Sequence, residues 1–443
     1  RGNCLAMSRS ELGKLRPRMA GKSSKPSALS AMGRRTAEPP ISWLMRIKLE
    51  RPRLISLAAG FTDNPTLPVA GSRRLLNELL GDTALGQAAL QYGSTAGDDT
   101  LRKLTARRIR QLDGNPRGRA ATYEASRTVI THGSQQFLYM ATEILCDPDD
   151  IVLVEDPTYF VYLGIMQSRG VAGRGVRTNR DGIDLGHLEQ VLESLKRDGN
   201  LPRLKILYLV SYYQNPTSRS TSLRVKAGAL ELLRRYERAA GHPIYLMEDA
   251  AYRELGFAGT PSASALAVKG AADRVIYSGT YSKPFATGVR VGFGILPEEL
   301  LTPVLRIKGN HDFGTSHLIQ QLVGRALASG LYEKNLAKVQ RRYRVKAKAM
   351  TDAMGEHFPG SVQWEQPEGG LNVWAAWPRK VNTGMKSRFF KQVLDRNVLY
   401  VPGGLCYVDD PTRAKPSHEM RLSFGAASEA DIREGIRRLG QAI

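Results

Sequence analysis

In the stretch Val275-Ile276-Tyr277-Ser278-Gly279-Thr280-Tyr281-Ser282-Lys283, a short β-branched apolar run gives way within a few residues to a lysine set among hydroxyls. A run of this length suits a strand better than a helix. Similar runs recur at 127–131, 151–154, 206–210, 244–247 and 291–295, and most are separated by helical stretches such as 135–145 and 223–240. Strands alternating with helices predict an α/β fold, a large and mostly parallel sheet covered on both faces by helices. In such sheets the chemistry collects at the carboxyl ends of the strands, which is where this lysine falls. Ahead of the alternation, 41–49 reads as a short amphipathic helix and 53–59 as extended chain. Beyond about residue 300 the pattern becomes helix-rich through 332–358, then turns to short strands at 371–377 and 420–424 and a closing helix at 429–443. That predicts a second, smaller α+β domain.

The chain has 443 residues, with 64 Lys and Arg against 42 Asp and Glu for a net charge of +22, and 42% hydrophobic residues. Such an apolar fraction excludes a disordered or collagen-like chain and provides core for two or three domains. No apolar run approaches the ~18–20 residues of a bilayer span, so no membrane partner is expected. Cys4, Cys146 and Cys406 are odd in number and lack CxxC spacing, which argues against a disulfide framework or zinc knuckle and for a reducing, cytoplasmic setting. The seven histidines show no HExxH spacing, and no metal is expected. Residues 1–38 hold nine basic residues against Glu11 and Glu38, or +7, leaving +15 spread along the rest. Charge so diffuse belongs to solvated helix faces, and no nucleic-acid partner is expected. The basic opening, residues 1–40, rich in Ser, Gly and Pro, reads as a disordered leader, with organellar import as its alternative use.

Other strand ends also carry reactive groups. Thr131-His132-Gly133-Ser134-Gln135 turns from strand to helix, where free N–H groups and the positive end of the helix dipole form an anion site. Glu155-Asp156-Pro157-Thr158-Tyr159 brings an aromatic ring, and Gln214-Asn215-Pro216-Thr217 an amide. Glu248-Asp249-Ala250-Ala251-Tyr252 places a carboxylate and a phenol within one helical turn, and Gly288-Val289-Arg290-Val291-Gly292 adds an arginine seven residues beyond Lys283. Taken singly, each has an ordinary reading as packing, a turn or a solvated charge. Together they supply what pyridoxal phosphate needs: an amine, a phosphate cradle, an aromatic plate, a carboxylate for the pyridine nitrogen and donors for the phenolic oxygen.

With these motifs in this order, the chain resembles the fold-type-I, class I/II aminotransferases, and most of all the branch of kynurenine and 2-aminoadipate aminotransferases, over roughly residues 41–443. The resemblance implies a pyridoxal-phosphate enzyme that moves an amino group from an L-amino acid to a 2-oxo acid, 2-oxoglutarate being the expected acceptor. It assigns Lys283 as the Schiff-base lysine and proton carrier, Asp249 as partner of the pyridine nitrogen, and Tyr252 and Asn215 as partners of the phenolic oxygen. Ser134, Gln135, Thr280 and Arg290 would hold the phosphate, and Tyr159 would stack on the ring. Arg421, in Met420-Arg421-Leu422-Ser423-Phe424, matches the arginine that grips the substrate α-carboxylate, with Asn215 and Gly60 beside it. Tyr92 matches a tyrosine that relatives extend into the neighbouring subunit's phosphate site, which implies a homodimer with shared active sites. The implied division is a segment at 41–84 serving the small domain and substrate site, a large cofactor-binding domain at 85–325 and a small C-terminal domain at 326–443. Ser218 stands where many members have glycine. The same fold also hosts cofactor-dependent lyases and synthases and, with a winged helix ahead of the core, transcription regulators. Elimination chemistry would release ammonia, and a regulator would need roughly 60 to 80 further ordered residues.

Overall fold

Eight strands form the central sheet of the computed structural model, which describes residues 28–442 apart from Ala59 and Thr260. A short β1 (Ile55–Ser56) precedes them; the sheet comprises β2 (Thr128–Thr131), β3 (Ile151–Asp156), β4 (Ala172–Asn179), β5 (Gly182–Ile183), β6 (Leu204–Val210), β7 (Tyr245–Asp249), β8 (Val275–Thr280) and β9 (Gly292–Ile295). Their spatial order is β2-β9-β8-β7-β6-β3-β4-β5. The run from β8 through β4 is parallel, while β9 is antiparallel to both its neighbours and β5 is antiparallel to β4. The expected mostly parallel α/β sheet is therefore present.

Burial on both faces explains why these strands read as continuous apolar runs. On β6, Leu207 and Leu209 join one hydrophobic cluster while Ile206, Tyr208 and Val210 join another on the opposite face. Each such side chain contributes roughly 1.5–3 kcal/mol on leaving water. The covering helices have definite ends. The helix Leu223–Ala240 begins at Ser222, whose Oγ accepts the Val225 N–H at 3.2 Å, and ends at Gly241 with φ 79°.

A second, four-stranded sheet has the order β10-β11-β14-β13, from β10 (Gln363–Trp364), β11 (Asn372–Ala376), β13 (Val401–Pro402) and β14 (Glu419–Ser423), and all its pairs are antiparallel. Trp374 pairs with Arg421, so Asn372, Trp374 and Arg421 share one face, and Val373, Ala375, Met420 and Leu422 fill the other. β1 pairs in parallel with β12 (Val398–Leu399), which anchors the chain just before residues 57–60 to the C-terminal region. Among the described residues no helix is long and apolar enough to cross a membrane.

The reading of 1–40 as disordered is corrected over 28–40; the remainder of that leader lies outside the described residues. Ala31–Arg35 is helical behind the cap Ser30, and Arg35 donates to the carbonyls of Ser168 at 2.7 Å and Arg169 at 2.8 Å. Its guanidinium thus satisfies orphan carbonyls at the C-terminus of the helix Phe160–Arg169. Composition reports the net charge of a segment but not the distant carbonyls that order it. The eight-residue β4 was also unforeseen, because AGRGVRTN has neither alternation nor an apolar run.

Two glycine substitutions of identical chemistry should move stability in opposite directions. A Cβ at Gly294 on β9 would fall inside the Phe137 ring, whereas one at Gly164, within a helix, meets nothing within 4 Å. Gly294→Ala should cost about 1–3 kcal/mol by overpacking, and Gly164→Ala should gain about 0.5–1 kcal/mol. Thermal-unfolding midpoints below and above the parent, respectively, would bear this out; equal midpoints would contradict the close packing of β9 on the helix Gly133–Leu145.

Candidate active site

Register brings three strand ends side by side: Val210 on β6 pairs with Asp249 on β7, which pairs with Ser278 on β8. Beyond them lies a cavity of about 180 Å³ whose lining includes Ser134, Gln135, Tyr159, Asn215, Asp249, Tyr252, Thr280, Lys283 and Arg290, nine of the candidates named from sequence. Four further residues, Val210, Ala251, Ser282 and Thr287, complete the lining. Ser282 stood in the hydroxyl run beside Lys283, while Val210 and Ala251 carry no chemical signal that a sequence could reveal.

One wall is a cradle of positive potential. The helix Gly133–Leu145 points its N-terminus into the cavity. Gly133 has φ 73°, and a Cβ there would stand 2.5 Å from Arg290 Nη2. A Cβ on Gly292 would strike the backbone of Gly133 and Ser134. These two glycines therefore let strand, helix terminus and guanidinium converge. Arg290 donates through Nη1 to Ser282 Oγ at 3.1 Å and the Thr287 carbonyl at 3.3 Å, and Thr280 Oγ1 accepts the Ser282 N–H at 3.1 Å. Among the described residues no carboxylate forms an ion pair with Arg290.

The opposite wall holds Asp249, only 2% exposed. Its Oδ2 accepts from the Tyr208 phenol at 2.8 Å and its Oδ1 from the Ala251 N–H at 3.0 Å. Burial pushes its pKa up to about 6, against the pull of these two donors. Burial likewise raises the Tyr252 phenol. Tyr159 is half-buried at the cavity.

Lys283 Nζ donates to the Gly60 carbonyl at 2.7 Å, which brings Gly60 into the site. Burial first, then the nearby charges of Arg421 and Arg290, lower the lysine to about 8. Arg421 rises from β14, 2% exposed, and donates to Asn215 Oδ1 at 2.8 Å and to the Ala58 carbonyl at 2.5 Å. Its Nε is buried without a partner, its Cζ stands 5.3 Å from the Phe160 ring centroid, and no carboxylate among the described residues pairs with it. A buried guanidinium left without a counter-ion favours an anionic ligand.

Gly60 and Arg421 join the site through Lys283 and Asn215 rather than as cavity lining, and Tyr92 is the candidate that the fold leaves apart from it. It is 85% exposed and meets Phe313 edge-on, with ring centroids 5.2 Å apart. No cluster of three or more metal-ligating side chains occurs among the described residues.

The profile of the aminotransferase class I and II family matches residues 52–439. A 2-aminoadipate transaminase from Thermus thermophilus is 32% identical over 89% of this chain and 91% of its own length. The mitochondrial kynurenine/alpha-aminoadipate aminotransferase of Rattus norvegicus is 27% identical over 94% of this chain and 97% of its own. The crystal structure of Pyrococcus horikoshii kynurenine aminotransferase, solved with PMP, superposes with a TM-score of 0.83 at 28% identity, covering 94% of this chain and 96% of that one. The chain belongs to the class I and II aminotransferases. It is an amino-acid aminotransferase of fold type I, and pyridoxal phosphate is its cofactor.

The setting of Lys283 makes its amine testable by pH. Below its pKa the side chain is an unreactive ammonium, and above it a free amine. In cofactor-free protein, carbamylation of Lys283 by cyanate should rise with a midpoint near pH 8. In Arg421→Gln that midpoint should move upward, because one of the charges opposing the ammonium is gone. A midpoint near the ~10.4 of an ordinary lysine would contradict the burial and charge described.

Proposed function

We propose that this enzyme transfers the amino group of an L-amino acid to 2-oxoglutarate, with Lys283 as the covalent anchor of the cofactor and the base that moves the substrate proton. The observation that carries the proposal is Arg421: a buried, unpaired guanidinium beside Lys283, with Nε unbonded and Asn215 already engaged. Every amino acid and every 2-oxo acid carries the α-carboxylate this arginine would take, so one site serves both halves of the reaction.

The remaining residues fit the cofactor. The dipole of the helix Gly133–Leu145, with Ser134, Gln135, Thr280 and Arg290, offers donors without a competing carboxylate, as a phosphate dianion requires. Asp249 would hold the proton on the pyridine nitrogen, Asn215 and Tyr252 would hydrogen-bond the phenolic oxygen, and Tyr159 would lie against the ring. When bound, pyridoxal phosphate supplies a conjugated electron sink for the pair of electrons left at the substrate Cα. Once released from the cofactor, Lys283 would take the Cα proton, its free amine favoured over the ammonium by burial and by the neighbouring Arg421 and Arg290. The Gly60 carbonyl orients Nζ, and Arg421 with Asn215 aligns the substrate for that transfer.

Assembly belongs to the same reading. Leu90, Tyr92 and Phe313 are 69%, 85% and 54% exposed, an apolar surface that supports a homodimer in which Tyr92 reaches the phosphate cradle of a second copy. The pairing of β1 with β12 supports assigning 41–84 to the small domain and the substrate site, between the large domain at 85–325 and the remainder at 326–443. Relatives named for 2-aminoadipate, aromatic amino acids and kynurenine indicate the donors to try first.

Two measurements test the proposal. With 2-oxoglutarate and these donors, the purified holoenzyme should form glutamate without ammonia; ammonia with an elimination product would replace transamination by lyase chemistry. Arg421→Lys should retain fold and cofactor, yet slow the half-reactions of two unlike donors by about ten- to a hundredfold, the value of a lost charge-assisted bond. Unchanged kinetics for both donors, with only the melting temperature lowered, would remove Arg421 from the site.

A further inference from the structure

Tyr208 lies on the same sheet face as Asp249. It pairs with Met247 one pleat before the Val210–Asp249 pair, so its side chain leans forward beneath the site. The phenol is 0% exposed, and burial holds it far above an ordinary tyrosine, so it remains protonated and acts as the donor to Asp249 Oδ2 at 2.8 Å. Its ring stacks on Tyr162, with centroids 3.8 Å apart and planes within 19°. Tyr162 is fixed in turn. Thr142 Oγ1 donates to the Leu138 carbonyl at 2.8 Å, which leaves Tyr162 to donate to Thr142 across 3.1 Å. Thr142 belongs to the helix whose first turn forms the anion cradle.

Ser278, in register with Asp249 on its other side, has a fully buried hydroxyl with no partner, so it does not support the carboxylate. The other titratable groups facing Asp249 are Glu155, Tyr159 and Tyr252, and none donates to it. Tyr208 is thus the only side-chain donor to Asp249 among the described residues. A carboxylate this deeply buried needs such a donor to remain an anion.

We propose that Tyr208 is a positioning residue of the reaction: it aims the Asp249 carboxylate and supplies the hydrogen bond a buried anion needs, and so governs how tightly the ring nitrogen of the cofactor is held. The inference rests on the reading that Asp249 faces that nitrogen. It concerns a tyrosine that touches neither substrate nor cofactor and that sequence alone presents as one apolar position in a buried strand.

The test compares two ligands on two proteins. Pyridoxal phosphate and its 1-deaza analogue, in which CH replaces the ring nitrogen, are titrated into cofactor-free parent and Tyr208→Phe, which keeps the ring stack and removes only the hydroxyl. The variant should bind pyridoxal phosphate about tenfold more weakly or worse and bind the deaza analogue within about twofold of the parent, with an unchanged melting temperature for the cofactor-free protein. In an Asp249→Asn background, Tyr208→Phe should add no further loss. Equal weakening of both ligands, equal loss in the Asp249→Asn background, no change in either ligand, or a Tyr208→Phe chain that does not fold would each overturn the inference. A parent that binds both ligands equally would instead overturn the underlying assignment of Asp249.

Discussion

Two cations, the half-buried Lys283 and the buried Arg421, share a site in which no carboxylate among the described residues forms an ion pair with either. Their interim partners are backbone carbonyls of one short segment, Gly60 for the lysine and Ala58 for the arginine. That segment is pinned at both ends. β1 pairs with β12 before it, and after it Asp63 is held by Lys346, by Arg342 at 3.4 Å and by its own N–H donating to Tyr343 at 3.2 Å. Neutral carbonyls stabilise a buried cation only in part. The unmatched charge remains available to an incoming phosphate or carboxylate, and it adds to the burial that first lowers the lysine toward its working range.

The two faces of the central sheet treat buried charge in opposite ways. Glu248, one residue before Asp249 and so facing the other side, pairs with Lys226 at 2.9 Å, both side chains 0% exposed, and Lys226 also donates to Tyr212 at 3.1 Å. Nearby, Arg253 pairs with Asp113, which further accepts from the Ser264 N–H and the Tyr123 phenol, each at 2.7 Å. That face is a closed ionic network, where removing one partner would leave an isolated charge and cost about 3–5 kcal/mol. The cofactor face is left open. The contrast between satisfied and unsatisfied charge distinguishes the scaffold from the site, and the site's Gln135, Lys283 and Arg290 also keep some exposure that Lys226, Glu248 and Arg253 lack.

What the sequence made legible were the features that depend on local pattern. Strands buried on both faces are continuous apolar runs, and residues at their carboxyl ends converge whatever the connecting loops do, so Ser134, Asn215, Asp249 and Lys283 could be named before any distance was known. Long-range consequences were not legible. The order of residues 28–40 depends on carbonyls more than a hundred positions away. Ser218, noted as a departure from glycine, proves to adopt φ 62°, a conformation that costs a non-glycine residue roughly 1–2 kcal/mol, and its hydroxyl offsets part of that by donating to the Asn372 carbonyl at 2.5 Å. Tyr208 was hidden because a polar tip inside an apolar strand carries no periodic signature. The exposure of Tyr92 could not be read from its own motif, because it depends on what covers that surface.

The central claim is that Lys283 is the amine that carries the cofactor, and the most direct measurement is reduction of the holoenzyme with borohydride followed by peptide mapping. The account predicts a single pyridoxyl group, on the Lys283 side chain, and its absence from Lys283→Ala treated in the same way. A pyridoxyl group on any other lysine of the parent protein, or on none, would contradict it.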